Sequence, residues 1–413
     1  MKKTFYKPLS ASLLILVFFL SSSIAQEKSY TVTVDEVLNG SIKLVPALPA
    51  DGKVDAGTVI KVTTTPDEGY TLDAGYYSVK GMWGAMYHES MSAPFEVIID
   101  QEKHIGASFI EKSEVAHINV IHDVVYAQPG KKTLKYDVFS PKGAKNLPII
   151  VIIHGGGWVS NTEDVMRGMA RELTKSGKYV VCSIDYRWAE KMDGDDSNNT
   201  MADIMGDVFG AIAHIMEHAA EYGGDASTIV LTGDSAGGHL SAACADMPNF
   251  IGSGGFGKSP GIFEFMPSYV PEKKTVEQLR TEMMAAIKAA APSYGVFGGE
   301  LLNHYSDDPA ADSTWTNAIA PLMNIPDAGE REVPQYLTRG SVDFLIKDEY
   351  VSEYMDALVK SGHRVQYVQV GGANHAFFDW KPDERTQATF KKYGVYYCHE
   401  MEAFFNSVLS SLK

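Results

Sequence analysis

The 413-residue sequence predicts an α/β fold, in which a mostly parallel sheet carries helices on both faces and follows a small N-terminal all-β module. Three observations predict it. Residues 147–153 form an unbroken apolar run, which is typical of a strand buried on both faces. Helical and strand-like patterns then alternate along the chain, as they do in parallel sheets. Residues 26–112, by contrast, show β-branched runs and turn signals without a helical period.

Residues 1–25 have the pattern of a secretory signal peptide. Three lysines precede an apolar stretch at residues 13–20, and small residues offer a cleavage site after Ala25. A membrane-spanning helix needs about 20 apolar residues, so this stretch is too short to be one. We therefore expect a secreted or periplasmic protein with no stable membrane anchor. Removing the three lysines changes the formal net charge from −16 to −19, which argues against nucleic acid as a partner.

The β-rich module is predicted from the spacing of its strands and turns. Its short β-branched runs are separated by Asn39-Gly40 and Asp51-Gly52, which are hairpin signals. The runs are residues 30–34, 58–64, 95–99 and 104–109. The segment holds no candidate catalytic group.

The stretches at residues 39–42, 56–59, 66–70 and 107–109 resemble the repeat module of internalin-type bacterial surface proteins. The resemblance implies attachment or substrate presentation, and a spacer or stabilising appendage is the alternative. In either case the module is expected to be an independent unit. A chain beginning at Glu114 should then keep the activity of residues 113–413 on small substrates.

A glycine run follows the apolar strand of the second domain. Residues 147–153 lead into the His-Gly-Gly-Gly stretch at 154–157. Glycines at this place let the backbone approach a reacting carbonyl closely and direct N–H groups at it. Gly156 and Gly157, with Ala236 further along, are the predicted oxyanion-hole donors. A flexible turn is the alternative interpretation.

A glycine-flanked serine marks the predicted nucleophile. The apolar run at residues 228–231 leads into Gly-Asp-Ser-Ala-Gly-Gly at 233–238. At a sharp strand-to-helix turn, only glycines or very small residues leave the hydroxyl of Ser235 exposed. A second such motif at 257–261 follows no strand-like run, and its Pro260 lacks the N–H that would hold an oxyanion. It is interpreted as a loop.

An acid and a histidine are expected after later strands. Residues 333–340 resemble a strand and lead to Asp343, an amphipathic helical pattern spans 351–358, and residues 365–370 form another strand before His375. Both side chains then lie at carboxyl ends of strands, where α/β sheets keep their sites.

Each of these two positions has alternatives. His363 lies in a helix-to-strand turn at the wrong end of the sheet, and His399 lies in the final helical stretch. Asp348 and Glu349 fall at a helix start, where they would interact with the helix dipole.

The two glycine motifs, Ser235, Asp343 and His375 together resemble the hormone-sensitive-lipase-like branch of the α/β-hydrolase fold, over roughly residues 115–413. The resemblance implies a serine carboxylesterase, lipase or deacetylase that needs no cofactor. In such a triad the serine attacks an acyl carbonyl, the histidine transfers its proton, and the aspartate orients the imidazole.

The sequence departs from the family pattern in two places. Residues 188–199 are rich in Asp and Asn where members carry a proline-rich stretch, and residues 245–281 look longer than the usual connection. Within the second segment, residues 248–281 are rich in Gly and aromatic residues. These residues are expected either to form a cap or acyl pocket, or to anchor a long loop against the body.

The favoured function is a secreted serine esterase acting on a small-molecule or polysaccharide ester, such as acetyl or feruloyl groups of plant polysaccharide. A serine peptidase or amidase on the same fold and a catalytically silent binding protein are the alternatives. Metal-ligand spacing is absent from the sequence, so neither metal nor cofactor is expected. The three cysteines, Cys182, Cys244 and Cys398, are expected to include buried free thiols.

Overall fold

The computed structural model describes residues 28–81, 84–256, 259–260, 265–299, 302 and 313–412. The predicted signal peptide at residues 1–25 lies outside the described residues. Within the described part of the chain, no helix combines the length and the apolar character needed to cross a bilayer.

The N-terminal part consists of eight strands in two sheets. One sheet has the strand order β3-β1-β8-β5-β6 and the other β2-β4-β7. Apolar residues such as Val32, Ile60, Val97 and Ile105 form a buried cluster of their own. The strands are β1 (Ser29–Val34), β2 (Gly40–Val45), β3 (Lys53–Asp55), β4 (Val59–Pro66), β5 (Tyr70–Gly81), β6 (Gly84–Ser90), β7 (Phe95–Ile98) and β8 (Lys103–Glu111).

The hairpin predictions at Asn39-Gly40 and Asp51-Gly52 were wrong about strand pairing. The backbone does turn at both places, with φ of 63° at Asn39 and 67° at Gly52. However, β1 pairs with β3 and β8, whereas β2 pairs with β4 in the other sheet. Turn residues specify the local backbone, but pairing depends on which strand faces can be buried together.

The C-terminal part contains a mixed eight-stranded sheet with the order β18-β17-β16-β13-β11-β12-β10-β9. The first six strands in this order, β18 to β12, run parallel. At the other edge β10 pairs antiparallel with β12, and β9 pairs antiparallel with β10. The strands are β9 (Ile118–Ala127), β10 (Leu134–Pro141), β11 (Leu147–Ile153), β12 (Val180–Ile184), β13 (Gly224–Asp234), β16 (Ile287–Ser293), β17 (Gln335–Gly340) and β18 (Val365–Val370), while β14 (Gly255–Phe256) and β15 (Ser259–Pro260) form a separate pair.

Helices cover the sheet and confirm the predicted α/β class. One group includes α1 and α8, which contact each other, and another includes α2 and α3. Strand β11 is fully buried from Ile149 to Ile153, as its unbroken apolar sequence requires. The helices are α1 (Arg167–Thr174), α2 (Met201–His218), α3 (Ala236–Asp246), α4 (Val276–Ala286), α5 (Ser313–Ile319), α6 (Asp348–Lys360), α7 (Glu384–Thr389) and α8 (Val395–Ser411).

A buried polar ring joins α3, α6 and β17. Asp246 receives hydrogen bonds from the hydroxyl of Tyr354 at 2.6 Å and the amide of Gln335 at 2.9 Å, and the Tyr354 oxygen lies 3.0 Å from Gln335 Oε1. Burial raises the pKa of Asp246 to about 7. When protonated, Asp246 donates to Tyr354, Tyr354 donates to Gln335, and Gln335 donates back, so every member has a partner.

The three cysteines are free and buried, as predicted. Burial raises the pKa of the Cys182, Cys244 and Cys398 thiols above the ordinary value. These groups are therefore protonated and poorly reactive at neutral pH.

Candidate active site

Ser235, His375 and Asp343 lie in one hydrogen-bonded row at the carboxyl edge of the sheet. Ser235 Oγ is 2.9 Å from His375 Nε2, and His375 Nδ1 is 2.9 Å from Asp343 Oδ2. Ser235 sits between β13 and α3, Asp343 follows β17, and His375 follows β18. Since β13, β17 and β18 run in the same direction, their carboxyl ends bring the three side chains to one edge.

The backbone around Ser235 has the sharp turn that its glycines predict. Ser235 has φ of 53° and ψ of −115°, a conformation that side-chain-bearing residues rarely adopt. A Cβ at Gly237 would come within 1.9 Å of the Ile153 carbonyl oxygen. Glycine is therefore required where β13 turns into α3 beside β11.

The carboxylate of Asp343 is held by both of its oxygens. Oδ2 faces His375, and Oδ1 accepts hydrogen bonds from the backbone N–H groups of Leu345 and Ile346, each at 2.9 Å. Burial would raise the pKa of Asp343, but the hydrogen bond and charge of His375, with the two backbone donors, hold this pKa below its ordinary value. An ionised Asp343 accepts a hydrogen bond from the N–H at His375 Nδ1, which leaves Nε2 unprotonated and able to accept the serine proton.

The predicted oxyanion-hole donors lie in the two segments that flank the serine. Gly156 and Gly157 have φ of 125° and 63°, and Ala236 is the first residue of α3. A Cβ at Gly156 would come within 2.2 Å of the Ser160 carbonyl oxygen. The N–H groups at the start of a helix have no acceptor within it, which makes that of Ala236 available for a ligand. The role of these three residues remains a prediction.

Asp234 joins the serine turn to the glycine run. Its Oδ1 accepts a hydrogen bond from the Gly155 N–H at 2.6 Å, and its Oδ2 accepts one from the hydroxyl of Tyr294 at 3.3 Å. The ring of Tyr294 in turn lies 4.8 Å from that of His375. Burial, with the charge of Asp379, raises the pKa of Asp234 to about 7. These contacts give Asp234 a structural role beside Ser235.

The alternatives for the acid and the histidine have other partners. Asp348 is exposed at the start of α6 and accepts hydrogen bonds from Tyr367 and Gln369. His363 bonds the Pro326 carbonyl oxygen, and His399 bonds Glu172. Glu349 lies in the first turn of α6 as well.

A buried histidine behind the serine was not found by sequence reasoning. His239 lies on α3, and its backbone N–H donates to the Ser235 carbonyl oxygen at 3.0 Å. Its Nδ1 accepts from the indole N–H of Trp158 at 3.3 Å, and its Nε2 donates to the Ile319 carbonyl oxygen at 2.8 Å. Burial lowers the pKa of His239 to about 4, so this ring is neutral and braces the glycine run. Its only sequence signal was its place four residues after the serine.

An exposed aromatic side chain stands next to the triad. Phe344 directly follows the acid, is 74% exposed, and has its ring centroid 6.4 Å from that of His375. Val342 and Leu345 on the same loop are also exposed. The mouth of the site therefore presents an apolar rim on the histidine side.

One group of carboxylates has the geometry of a cation site. Among the described residues, ligand atoms of Asp123, Asp137 and Glu163 lie within 4.8 Å of one another. The ammonium group of Lys135 contacts Asp123 and lies 3.1 Å from Glu163. Because Lys135 already pairs with Asp123 and Glu163, and His122 lies 2.6 Å from Asp137, the group gives no reason to assign a metal.

The aromatic-rich segment at 248–281 packs, where it is described, on the body of the domain. Phe265 is buried 6.0 Å from the Phe209 ring of α2, and Tyr269 packs against His214 on the same helix. These contacts favour the anchoring interpretation for both residues. The Phe256 and Phe263 side chains lie outside the described residues, as does most of the second motif at 257–261.

Comparisons with known proteins agree with the fold. A family model described as BD-FAE matches residues 136–253. A solved structure of a truncated carbohydrate esterase from gut microbiota superimposes with a TM-score of 0.51 at 18% identity, over 70% of this chain and 95% of that one. The chain thus has the α/β-hydrolase fold.

Sequence relatives of this chain are named as enzymes that hydrolyse carboxylic esters. The chain is 36% identical to carboxylesterase NlhH of Mycobacterium tuberculosis over 107 residues. This aligned stretch covers 26% of this chain and 31% of the relative. Over 275 residues the chain is 25% identical to a probable isoprenylcysteine alpha-carbonyl methylesterase of Oryza sativa, covering 62% of this chain and 57% of the relative. These matches support a hormone-sensitive-lipase-like α/β-hydrolase. The chain spans between about a third and little more than half of the length of these relatives.

Proposed function

We propose that this chain is a secreted or periplasmic serine esterase that hydrolyses carboxylic esters through an acyl-enzyme intermediate. The observation that carries the proposal is the row of two 2.9 Å contacts from Ser235 Oγ through His375 to Asp343. A nucleophile, a base and a group that orients the base are the elements that ester cleavage by serine requires.

The proposed reaction follows from the positions of these atoms. His375 Nε2 takes the proton of Ser235 Oγ as the oxygen attacks the acyl carbonyl. N–H groups of Gly156, Gly157 and Ala236 hold the negative oxygen of the tetrahedral intermediate. The imidazolium, stabilised by Asp343, gives its proton to the departing alcohol. Water then attacks the acyl-serine and gives a proton to His375 Nε2. The imidazolium returns this proton to Ser235 Oγ as the carboxylic acid leaves.

For the substrate we propose short acyl or aryl esters, including acetyl or feruloyl esters of polysaccharide. The exposed rim of Val342, Phe344 and Leu345 supports this choice, because an alcohol that leaves beside His375 extends into open solvent there. A polymer can therefore present one ester while the rest of it stays outside. The signal-peptide pattern of residues 1–25 also supports this choice, because a secreted enzyme meets polymeric substrates.

The proposal is tested by kinetics on p-nitrophenyl esters of increasing acyl length, with acetylated xylan and methyl ferulate as natural-type substrates. Ser235→Ala should remove activity by several orders of magnitude because triad members act as a unit. Ser259→Ala, in the second glycine-serine motif, is the matched control and should behave as the unmodified protein.

Labelling with a fluorophosphonate separates the alternatives. An esterase should be labelled at Ser235 and should turn over esters. A labelled protein that cleaves peptides or amides faster than esters would identify the peptidase alternative. A protein that binds polysaccharide but is neither labelled nor active would identify a silent binding protein.

A further inference from the structure

A fully buried carboxylate connects the N-terminal sheets to the catalytic part of the chain. Asp73 on β5 accepts hydrogen bonds from Arg167 Nε at 3.1 Å and Nη2 at 3.0 Å, and from Arg171 Nη1 at 2.7 Å. The indole N–H of Trp380 donates to Asp73 Oδ2 at 2.9 Å, and the hydroxyl of Ser108 donates to the same oxygen at 2.8 Å. Five donors therefore converge on one side chain, and all but Ser108 belong to the second part of the chain.

The two parts of the chain supply groups of opposite charge to this contact. The N-terminal sheets supply Asp73 and Glu89, whose Oε2 lies 2.7 Å from Arg167 Nη2, and α1 supplies Arg167 and Arg171. Burial alone would raise the pKa of Asp73, but the two guanidinium groups hold it well below the ordinary value. Removing either side would leave uncompensated charge in the interior, which is strongly unfavourable.

Trp380 is clamped between this carboxylate and α1. Its backbone N–H donates to the Val165 carbonyl oxygen at 2.8 Å. Its ring lies over Gly168, where a Cβ would come within 2.8 Å of the indole, and the guanidinium of Arg171 lies 4.7 Å from the ring centroid. The indole N–H can therefore reach Asp73 only with the ring in this place.

The clamped tryptophan closes a short, tightly folded segment that begins with the catalytic histidine. Ala376 has φ of 60°, and the Phe378 N–H points to the hydroxyl of Tyr294 at 3.3 Å. Four residues separate His375 from Trp380, and Phe377 and Phe378 between them are fully buried. A displacement of Trp380 is thus carried to the imidazole by a segment with little room to absorb it.

We infer that Asp73 is a positioning residue for the esterase reaction: through Trp380 it holds the segment that places His375 against Ser235. The inference rests on the proposed function. It also replaces the expectation that the N-terminal module is a dispensable appendage, because a chain beginning at Glu114 would lack Asp73 and leave Arg167 and Trp380 without this partner. The N-terminal sheets are part of the esterase.

The test uses the full chain with two conservative substitutions. Trp380→Phe keeps an aromatic ring but removes the N–H donor together with the second ring of the indole, and Asp73→Asn keeps the side-chain shape and removes the charge. Each should lower kcat per titrated active site by about 10- to 100-fold, the effect of misplacing a reacting group by up to about 1 Å, while KM for p-nitrophenyl acetate stays close to that of the unmodified protein. Asp67→Asn, an exposed aspartate of the same segment, is the matched control.

The double variant distinguishes positioning from general stability. If Asp73 acts through Trp380, the two changes should not be additive, and the kcat loss of the double variant should be smaller than the product of the two single losses, because the two residues share one hydrogen bond. Melting temperatures that fall while kcat per titrated site is unchanged in both single variants would overturn the inference. An unmodified protein that hydrolyses no ester would instead overturn the proposed function, and the two failures are thus distinct.

Discussion

Replacing the triad acid by its amide, Asp343→Asn, tests how the imidazole is oriented. Asp343 Oδ1 accepts two backbone N–H groups, from Leu345 and Ile346. The amide has a single oxygen. This oxygen can accept from both Leu345 N–H and Ile346 N–H only if it takes the position of Asp343 Oδ1. Its NH₂ group must then face His375 Nδ1.

The expected loss follows from this forced orientation. Two N–H groups cannot face each other, so His375 Nδ1 becomes the acceptor and its proton moves to Nε2. An Nε2–H directed at Ser235 Oγ cannot take the serine proton. In a comparable triad the same change lowers kcat by about 10⁴, which corresponds to about 5 kcal/mol in the activation barrier. The backbone hydrogen bonds to residue 343 survive, so the fold should be retained.

The assay is kcat for p-nitrophenyl acetate at constant pH, with folding checked by circular dichroism. Asp348→Asn is the paired control, because Asp348 is bound by Tyr367 and Gln369 and cannot replace the acid. It should change kcat by no more than about twofold, as surface substitutions usually do. An Asp343→Asn variant that keeps a tenth of the kcat of the unmodified protein would refute this reasoning. A larger loss of kcat in Asp348→Asn than in Asp343→Asn would refute it as well.

Three further predictions concern the rim, the serine turn and a buried acid. Phe344→Ala should raise KM for phenyl acetate by about 2- to 12-fold, the equivalent of one aromatic contact of about 0.5–1.5 kcal/mol, and leave KM for ethyl acetate unchanged, because the ring lies where the alcohol leaves beside His375. Asp234→Ala should lower kcat and the melting temperature together, because a buried Gly155 N–H without its acceptor costs about 1–3 kcal/mol. Asp246→Asn should gain stability relative to the unmodified protein as the pH rises from about 4 to about 7 in thermal melts. The raised pKa of Asp246, about 7, means that the folded protein keeps a proton that the unfolded chain releases near pH 4, so its stability falls across this range.

Each of these predictions has a result that contradicts it. Equal changes in KM for phenyl and ethyl acetate would show that Phe344 does not contact the alcohol. An unchanged kcat in Asp234→Ala would show that the glycine run keeps its place without that carboxylate. Melting temperatures of Asp246→Asn and the unmodified protein that differ by a constant amount at every pH would show that folding does not change the pKa of Asp246.

Local patterns predicted the strands and the positions of the site better than they predicted pairing. The predicted strand at 365–370 has the bounds of β18, and that at 333–340 begins two residues before β17 (Gln335–Gly340). Ser235, Asp343 and His375 could be expected to meet because the carboxyl ends of parallel strands share an edge. A glycine motif and a buried strand can be predicted because each is defined by a short, continuous stretch of sequence.

Contacts between buried polar groups far apart in the chain could not be predicted from local sequence patterns. The hairpin signals at Asn39-Gly40 and Asp51-Gly52 described the turns correctly, but the choice of partner strand depended on burial elsewhere. Asp73 sits within β5, a strand whose residues mix tyrosines and polar groups and that the sequence did not single out. The role of Asp73 depends on Arg167, Arg171 and Trp380, which lie far from it in the sequence and form no repeating pattern with it.

The hydrogen bond between Asp73 and Trp380 also sets an order of events during synthesis, because it joins residues 307 positions apart. The ribosome produces the N-terminal sheets first. The carboxylate of Asp73 is made before its partners. The guanidinium groups of Arg167 and Arg171 follow 94 and 98 residues later, and the indole of Trp380 follows 307 residues later. Closing so long a loop costs chain entropy before any contact is gained. A chain that terminates before Trp380 therefore lacks the indole that binds the buried Asp73 carboxylate, and the segment that carries His375 has no anchor on the N-terminal sheets.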